Sequence, residues 1–128
     1  MKVLLDTHTL LWAVLSPAAL SQKASAIIAD EGNVILVSAA SAWEIATKVR
    51  LGKLPGAETL EREFLDVMED AGYTMLAIDA GSALRAGRLT GEHRDPFDRM
   101  IAAQALGGDL LVLSRDVQLD LFGVRRVW

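Results

Sequence analysis

Apolar and polar positions follow two rhythms along the chain. Short, uninterrupted apolar runs stand at Val3-Leu4-Leu5, Val34-Ile35-Leu36-Val37 and Leu110-Leu111-Val112-Leu113. They are too short for helices and have no polar face, which predicts strands over residues 2–5, 34–37 and 110–113, buried on both sides of a parallel sheet. Residues 73–78 read as a further strand and 124–128 as an edge strand. Between the strands the period lengthens. Leu10, Leu11, Val14 and Leu15 predict a helix that stops before Pro17, and a second helix covers residues 22–30. Residues 38–50 form another, closed by Gly52, and an acidic helix runs over 59–71 up to Gly72. A short helix is expected over 80–88, and a well-marked one over 96–106 that ends at Gly107-Gly108. A brief helical turn follows Asp116. Strands alternating with helices predict an α/β fold, with a central, mostly parallel β-sheet covered by α-helices on both faces.

Composition narrows the setting. At 128 residues and 52% hydrophobic the chain reads as a single domain over 1–128, long enough to bury on the order of two-thirds of the surface its unfolded form exposes. It has no cysteine, which excludes disulfides and thiolate zinc sites and fits a reducing compartment. The first apolar run is stopped at once by Asp6, unlike a secretory leader, and no apolar run approaches the roughly 18 residues of a membrane span. A cytoplasmic protein with no membrane partner is expected. The net charge of −4 at first argues against nucleic acid, because phosphate binding usually shows as a basic surface. The charge is unevenly placed, however. Glu58, Glu61, Glu63, Asp66, Glu69 and Asp70, against Arg62 alone, put a net −5 on residues 58–70 and leave +1 for the rest of the chain. An acidic total therefore does not exclude RNA.

In an open α/β sheet, ligands bind beyond the carboxyl ends of the strands, where loops and helix N-termini present polar groups. Asp6 follows the first strand and Asp116 follows the strand at 110–113. Glu44 lies in the first turns of the helix after 34–37, and Asp98 in the first turn of the helix leading to 110–113. Each acid alone has a plainer explanation. Asp6 and Asp116 suit helix N-caps. Ser41-Ala42-Trp43-Glu44 is a capping-box pattern, and Glu44 is spaced to pair with Lys48. Asp95-Pro96-Phe97-Asp98 reads as a cap, a proline at the first helical position and an acid facing the helix dipole. These readings do not explain why four carboxylates would converge on one edge, since like charges at close range oppose one another's ionisation. A hard divalent cation resolves that conflict. All-oxygen ligation suits magnesium or manganese, while the lack of cysteine and the presence of only two histidines argue against zinc.

Four ordered blocks resemble the PIN domain. They are Leu5-Asp6-Thr7-His8 with Leu11-Trp12; Ser41-Ala42-Trp43-Glu44-Ile45 with Lys48 and Gly52-Lys53-Leu54; His93-Arg94-Asp95-Pro96-Phe97-Asp98-Arg99-Met100-Ile101-Ala102-Ala103-Gln104-Ala105; and Ser114-Arg115-Asp116. They span essentially the whole chain, residues 93–105 being the most specific, and are most similar to VapC-type toxins of bacterial and archaeal toxin–antitoxin pairs. The resemblance implies a PIN-like three-layer fold. It implies a metal-dependent endoribonuclease that hydrolyses RNA phosphodiester bonds with a metal-activated water, leaving a 5′-phosphate and a 3′-hydroxyl. It places catalytic, metal-binding acids at Asp6, Glu44 and Asp98, with Asp116 as the fourth, around one or two Mg²⁺ or Mn²⁺ ions. Asp98 rather than Asp95 matches the family acid, because it directly precedes Arg99-Met100-Ile101; Asp95 is left as cap or supporting group. Ser114 keeps a hydroxyl where many relatives carry threonine. A homodimer and a cognate antitoxin that blocks the acidic site are implied as well.

Around these acids, Thr7 and Ser114 are expected to donate hydrogen bonds to carboxylates. Arg99 and Arg115 are candidates for phosphate contact, against the commoner fate of solvated ion pairs. His8 and His93 are read as structural. Trp12, Trp43 and Trp128 could stack on bases but fit core or interface positions better, and the acidic helix reads as a solvated face. Two alternatives stay open. One is a PIN nuclease in RNA processing or DNA cleavage. The other is a non-catalytic, magnesium-binding receiver-like module, which would use Asp6, Asp79 and Ser114 but leaves Glu44 and Asp98 without a role.

Overall fold

The central strand is β1 (Lys2–Leu5), whose Leu5 lies level with Val37 of β2 (Val34–Ser38) on one side and with Leu113 of β4 (Leu111–Leu113) on the other. The computed structural model, which describes residues 1–92 and 95–128, extends this sheet with β3 (Thr74–Leu76) beside β2 and β5 (Arg125–Val127) beside β4. The order is β3-β2-β1-β4-β5 and every pairing is parallel.

Alternation along the strands builds two cores. Val3, Leu5, Ile35, Val37, Leu111 and Leu113 share one face of the sheet. They pack with Leu10 and Leu11 of α1 (Thr7–Leu15), Ala24 of α2 (Gln22–Ala29) and Ile45 of α3 (Ala39–Arg50). Leu60 of α4 (Glu58–Arg62) and Phe64 and Met68 of α5 (Phe64–Ala71) complete that layer. Leu4, Leu36 and Val112 point the other way, against Ile101, Ala102 and Ala105 of α7 (Pro96–Gly108) and against Leu119 and Phe122 of a 3-10 turn over Val117–Phe122. The remaining helix, α6 (Ala80–Arg88), packs on α7. Val3, Leu4 and Leu5 are all fully buried, and burial of each such side chain is worth about 1.5–3 kcal/mol. The three-layer α/β architecture expected from the sequence is the one observed. Among the described residues no helix is long and apolar enough to cross a membrane.

The structure departs from the sequence expectations at three places. The acidic helix is two helices broken at Glu63, whose backbone (φ −107, ψ 21) leaves the helical region. In one straight helix residues four apart drift by about 40°, whereas here Leu60, Phe64 and Met68 all stay buried. Its acids, from Glu58 to Asp70, are exposed or half-buried, as a solvated face requires. The helix α7 does not stop at its glycines. It runs through Gly108 and turns at Asp109, a residue type that tolerates the left-handed conformation it adopts (φ 51). Gly108 instead makes room, since a Cβ there would meet the Leu110 side chain at 3.2 Å. Finally, α3 starts at Ala39, and its cap is Ser38, which accepts from the Ala40 amide at 3.0 Å. Ser41 is therefore inside the helix and forms no capping box with Glu44.

Candidate acidic metal site

The chain leaves β1 towards β2 and β3 on one side and returns to β4 and β5 on the other, so the strand order reverses at the carboxyl ends of β1 and β4, where open α/β sheets bind ligands. Asp6 and Ser114 follow those two ends. A cleft of about 250 Å³ opens there, lined by Asp6, Thr7, His8, Glu44, Lys48, Asp95, Asp98 and Asp116. All four acids singled out from the sequence thus line one cleft, although they come from four separate segments.

Each acid is held by local structure that the sequence encodes. Asp6 is 5% exposed and caps α1, its Oδ1 accepting from the Thr9 amide at 2.8 Å. The Ser114 hydroxyl donates to Asp6 Oδ2, and the Ser114 oxygen in turn accepts from the Asp116 amide at 2.9 Å. This relay fixes two acids from opposite ends of the chain against each other. Asp116 caps the following 3-10 turn through the Gln118 amide at 2.9 Å. Asp95 caps α7, accepting from the Phe97 and Asp98 amides at 2.9 and 3.2 Å, with Pro96 at the first helical position. The three aspartate caps read from the sequence, at Asp6, Asp95 and Asp116, are therefore present, and they coexist with the cleft. A carboxylate oxygen has two lone pairs, so the single hydrogen bonds to the Asp6 oxygens and to Asp116 Oδ1 leave capacity for a further ligand.

Glu44 differs from the others. It is 5% exposed, its Oε2 pairs with Lys48 one turn along α3, and its Oε1 is buried without a hydrogen-bond partner among the described residues. An orphaned buried carboxylate oxygen is costly unless something positive reaches it. Lys48 also feels Asp95 and Asp98. Burial alone would lower its pKa, but the hydrogen bond to Glu44 and the charges of Glu44, Asp95 and Asp98 together outweigh that and hold the ammonium above its ordinary value. The sequence points to Lys48 only as a helix ion pair; its place in the cleft depends on tertiary packing. Among the described residues, no three acids or histidines are gathered tightly enough to hold an ion as they stand.

The supporting residues divide. Ser114 bonds a carboxylate as expected, but the Thr7 hydroxyl is shared with the Ser41 hydroxyl at 3.0 Å instead. Arg99 is half-buried rather than solvated. Its guanidinium donates to the backbone carbonyls of Ala86 (3.2 Å) and Leu89 and lies over the Phe122 ring at 5.6 Å, tying α7 to α6. Arg115 is exposed beside Asp116. His8 lines the cleft, its ring 5.7 Å from Trp12, which also meets Trp128 at 5.6 Å. Trp43 is 60% exposed and meets Phe97 edge-on at 4.8 Å, so it is no core residue. His93 lies outside the described residues.

The sequence did not single out two buried bridges. Ser38, at the end of β2, donates to Gln104 Oε1 at 2.5 Å, while Gln104 donates to the Ala77 carbonyl at 3.1 Å. Gln104 thereby fixes α7, which carries Asp98, to the strand that precedes α3, which carries Glu44. The second is the Thr7–Ser41 pair, which joins α1 to α3.

Fold and cleft define a class: a parallel α/β protein with carboxylates gathered at the switch point of its sheet. The PIN domain profile matches residues 3–123, and the chain belongs to that family. A stretch of 54 residues, 42% of the chain, is 50% identical to Ribonuclease VapC16 of Mycobacterium tuberculosis and spans 38% of that protein's length. The crystal structure of VapBC2 from Rickettsia felis, bound to a DNA fragment from its promoter, superposes with a TM-score of 0.73 at 16% identity over 99% of this chain and 98% of its own. The structure of VapBC-1 from nontypeable Haemophilus influenzae does so with a TM-score of 0.70 at 17% identity, over 99% and 97%.

Proposed function

We propose that this protein is a divalent-metal-dependent endoribonuclease that acts in the cytoplasm as the toxin of a toxin–antitoxin pair. The observation that carries this reading is the cleft itself, lined by Asp6, Glu44, Asp98 and Asp116, in which one buried Glu44 oxygen has no partner among the described residues. The donor set is all oxygen, which fits Mg²⁺ or Mn²⁺. The open spacing of the acids also fits, since magnesium is commonly bound through one or two carboxylates, keeping waters and substrate phosphate in its other positions. When bound, such an ion supplies the Lewis acidity that activates a water and offsets charge on a phosphodiester.

The chain's own residues have distinct tasks in this reading. Asp6 and Glu44 are the buried ligands, and Asp98 and Asp116 are the more accessible ones at the rim. Ser114 keeps one Asp6 oxygen pointed and holds Asp116 beside it. Asp95 sets the start of α7 and so the direction of Asp98. Arg115 remains the candidate for phosphate contact, while the backbone bonds of Arg99 give it a structural task. The partial identity to a protein named a ribonuclease supports RNA as substrate. The two structural relatives described above support an antitoxin partner, and a homodimer is part of the same proposal.

Cleavage of single-stranded, transfer and ribosomal RNAs tests this directly, with Mg²⁺, Mn²⁺ or EDTA and beside Asp6→Asn and Asp98→Asn. Metal-dependent cleavage lost in both folded variants is expected. If no RNA is cut and calorimetry detects no metal binding, the acids serve only as helix caps, helix-dipole partners and, at Glu44, an ion pair.

A further inference from the structure

We propose that the Lys48 ammonium is a resident counter-ion of the acid cleft, which gives way to the divalent cation and, by its charge, limits how tightly that cation is held. The inference rests on the metal-dependent reading above and adds a residue that sets the affinity.

Lys48 sits four residues after Glu44, on the same face of α3, so its side chain is directed at a ligand candidate whose buried Oε1 has no partner among the described residues. It holds Glu44 Oε2 and lines the cleft together with Asp6, Asp95, Asp98 and Asp116. Apart from His8, it is the only basic side chain among the described residues that line it. Glu44 Oε2 keeps a second lone pair for a metal, but the ammonium stands beside it with its full charge. A divalent ion arriving at Glu44 therefore meets a positive charge already in place.

The chemistry of lysine suits displacement. Its charge is compact, strongly hydrated and carried on a flexible four-carbon stem, unlike the rigid fork of arginine. The Lys48 side chain is 31% exposed while that of Glu44 is 6% exposed, so the ammonium has a route to water that the carboxylate lacks. Repulsion between a single and a double charge within a few ångströms of each other is large enough to matter even where the dielectric is high. Removing the lysine charge while keeping an apolar stem is therefore expected to tighten ion binding by about ten-fold or more.

A plain i, i+4 ion pair predicts something different. There, loss of Lys48 would leave Glu44 less well held and metal affinity the same or weaker. The two are separated by titrating the intact, substrate-free protein with Mn²⁺, followed by electron paramagnetic resonance, for the wild type, Lys48→Met, Lys48→Gln and Lys48→Arg. Circular dichroism shows which variants are folded, and Lys48→Gln replaces Lys48→Met if the latter is not. The expected result is about ten-fold tighter binding in the uncharged variants and affinity at or below the native value in Lys48→Arg, which keeps the charge on a less readily displaced fork. If the wild type binds Mn²⁺ and the uncharged variants bind it equally or more weakly, the counter-ion role is wrong while the metal site stands. If the wild type shows no binding over the range titrated but Lys48→Met does, the lysine charge holds the affinity below that range and the inference holds. If none of the four binds Mn²⁺, the metal-dependent reading falls and this inference with it.

Discussion

At the scale of single residues, Ser114 does the most with the least. One fully buried hydroxyl donates to Asp6 and accepts from the amide of Asp116. Ser114→Ala would strip a donor from a buried carboxylate and leave a backbone amide short of its acceptor. A loss of about 1–3 kcal/mol is expected, read as a lower denaturation midpoint at unchanged m-value. On the proposed function, cleavage falls as well, because Asp6 loses the bond that orients one of its oxygens. Ser114→Thr keeps the hydroxyl and should retain most of both. Native stability in Ser114→Ala would show that a water replaces the hydroxyl without penalty, and the relay would then have no energetic weight. Residue identity made Asp6, Asp98, Asp116 and Ser114 visible in the sequence, because each stands at a strand end or a helix start, while Glu44, inside α3, was visible only through the block that surrounds it. Identity could not reveal that Thr7 turns to Ser41 or that Arg99 bonds to α6, since those choices depend on which neighbours the fold supplies.

At the scale of elements, chain punctuation was legible where a cap and a period agree. The helix α6 runs from Ala80 to Arg88 as expected, with Asp79 accepting from the Ser82 amide at 2.7 Å, a bond that holds the Asp79 carboxyl below its ordinary pKa. Where two signals competed, the fold decided. Ser38 and Ser41 are both acceptable caps, and strand β2 ends at Ser38, so the earlier serine wins. The break at Glu63 had no glycine or proline to announce it. The Ser38–Gln104 bridge was hidden for another reason, because its partners are 66 residues apart and meet only once α7 crosses the sheet. Gln104→Leu tests what that bridge does. It removes the Ser38 partner and the bond to the Ala77 carbonyl while keeping much of the bulk, so a cost of about 1–3 kcal/mol is expected. Because Gln104 fixes the helix that carries Asp98, cleavage measured well below the new midpoint should also drop. Unchanged stability with normal cleavage would mean that apolar packing alone holds α7 in place.

For the molecule as a whole, the decisive quantity was strand order, and no periodicity contains it. Alternating strands and helices imply a parallel sheet, but the four acids share one cleft only because β1 lies between β2 and β4, with α3 and α7 leading from and to its neighbours. The acidic patch on α4 and α5 belongs to other elements, so the negative net charge says little about the field at the cleft. A cleft assembled from residues 6 to 116 does not exist in the unfolded chain, and an ion bound there should favour the folded state by mass action. At ten times its dissociation constant the ion would add about 1.4 kcal/mol, which for a domain of this size raises the melting temperature by about 5 °C. Thermal unfolding with and without Mg²⁺, at matched ionic strength, measures that increment, and in Asp98→Asn it should shrink because one rim carboxylate has become an amide. If the melting temperature rises equally in both proteins, the ion is stabilising the chain from some other surface. If it rises in neither, the four carboxylates share a cleft without sharing a metal.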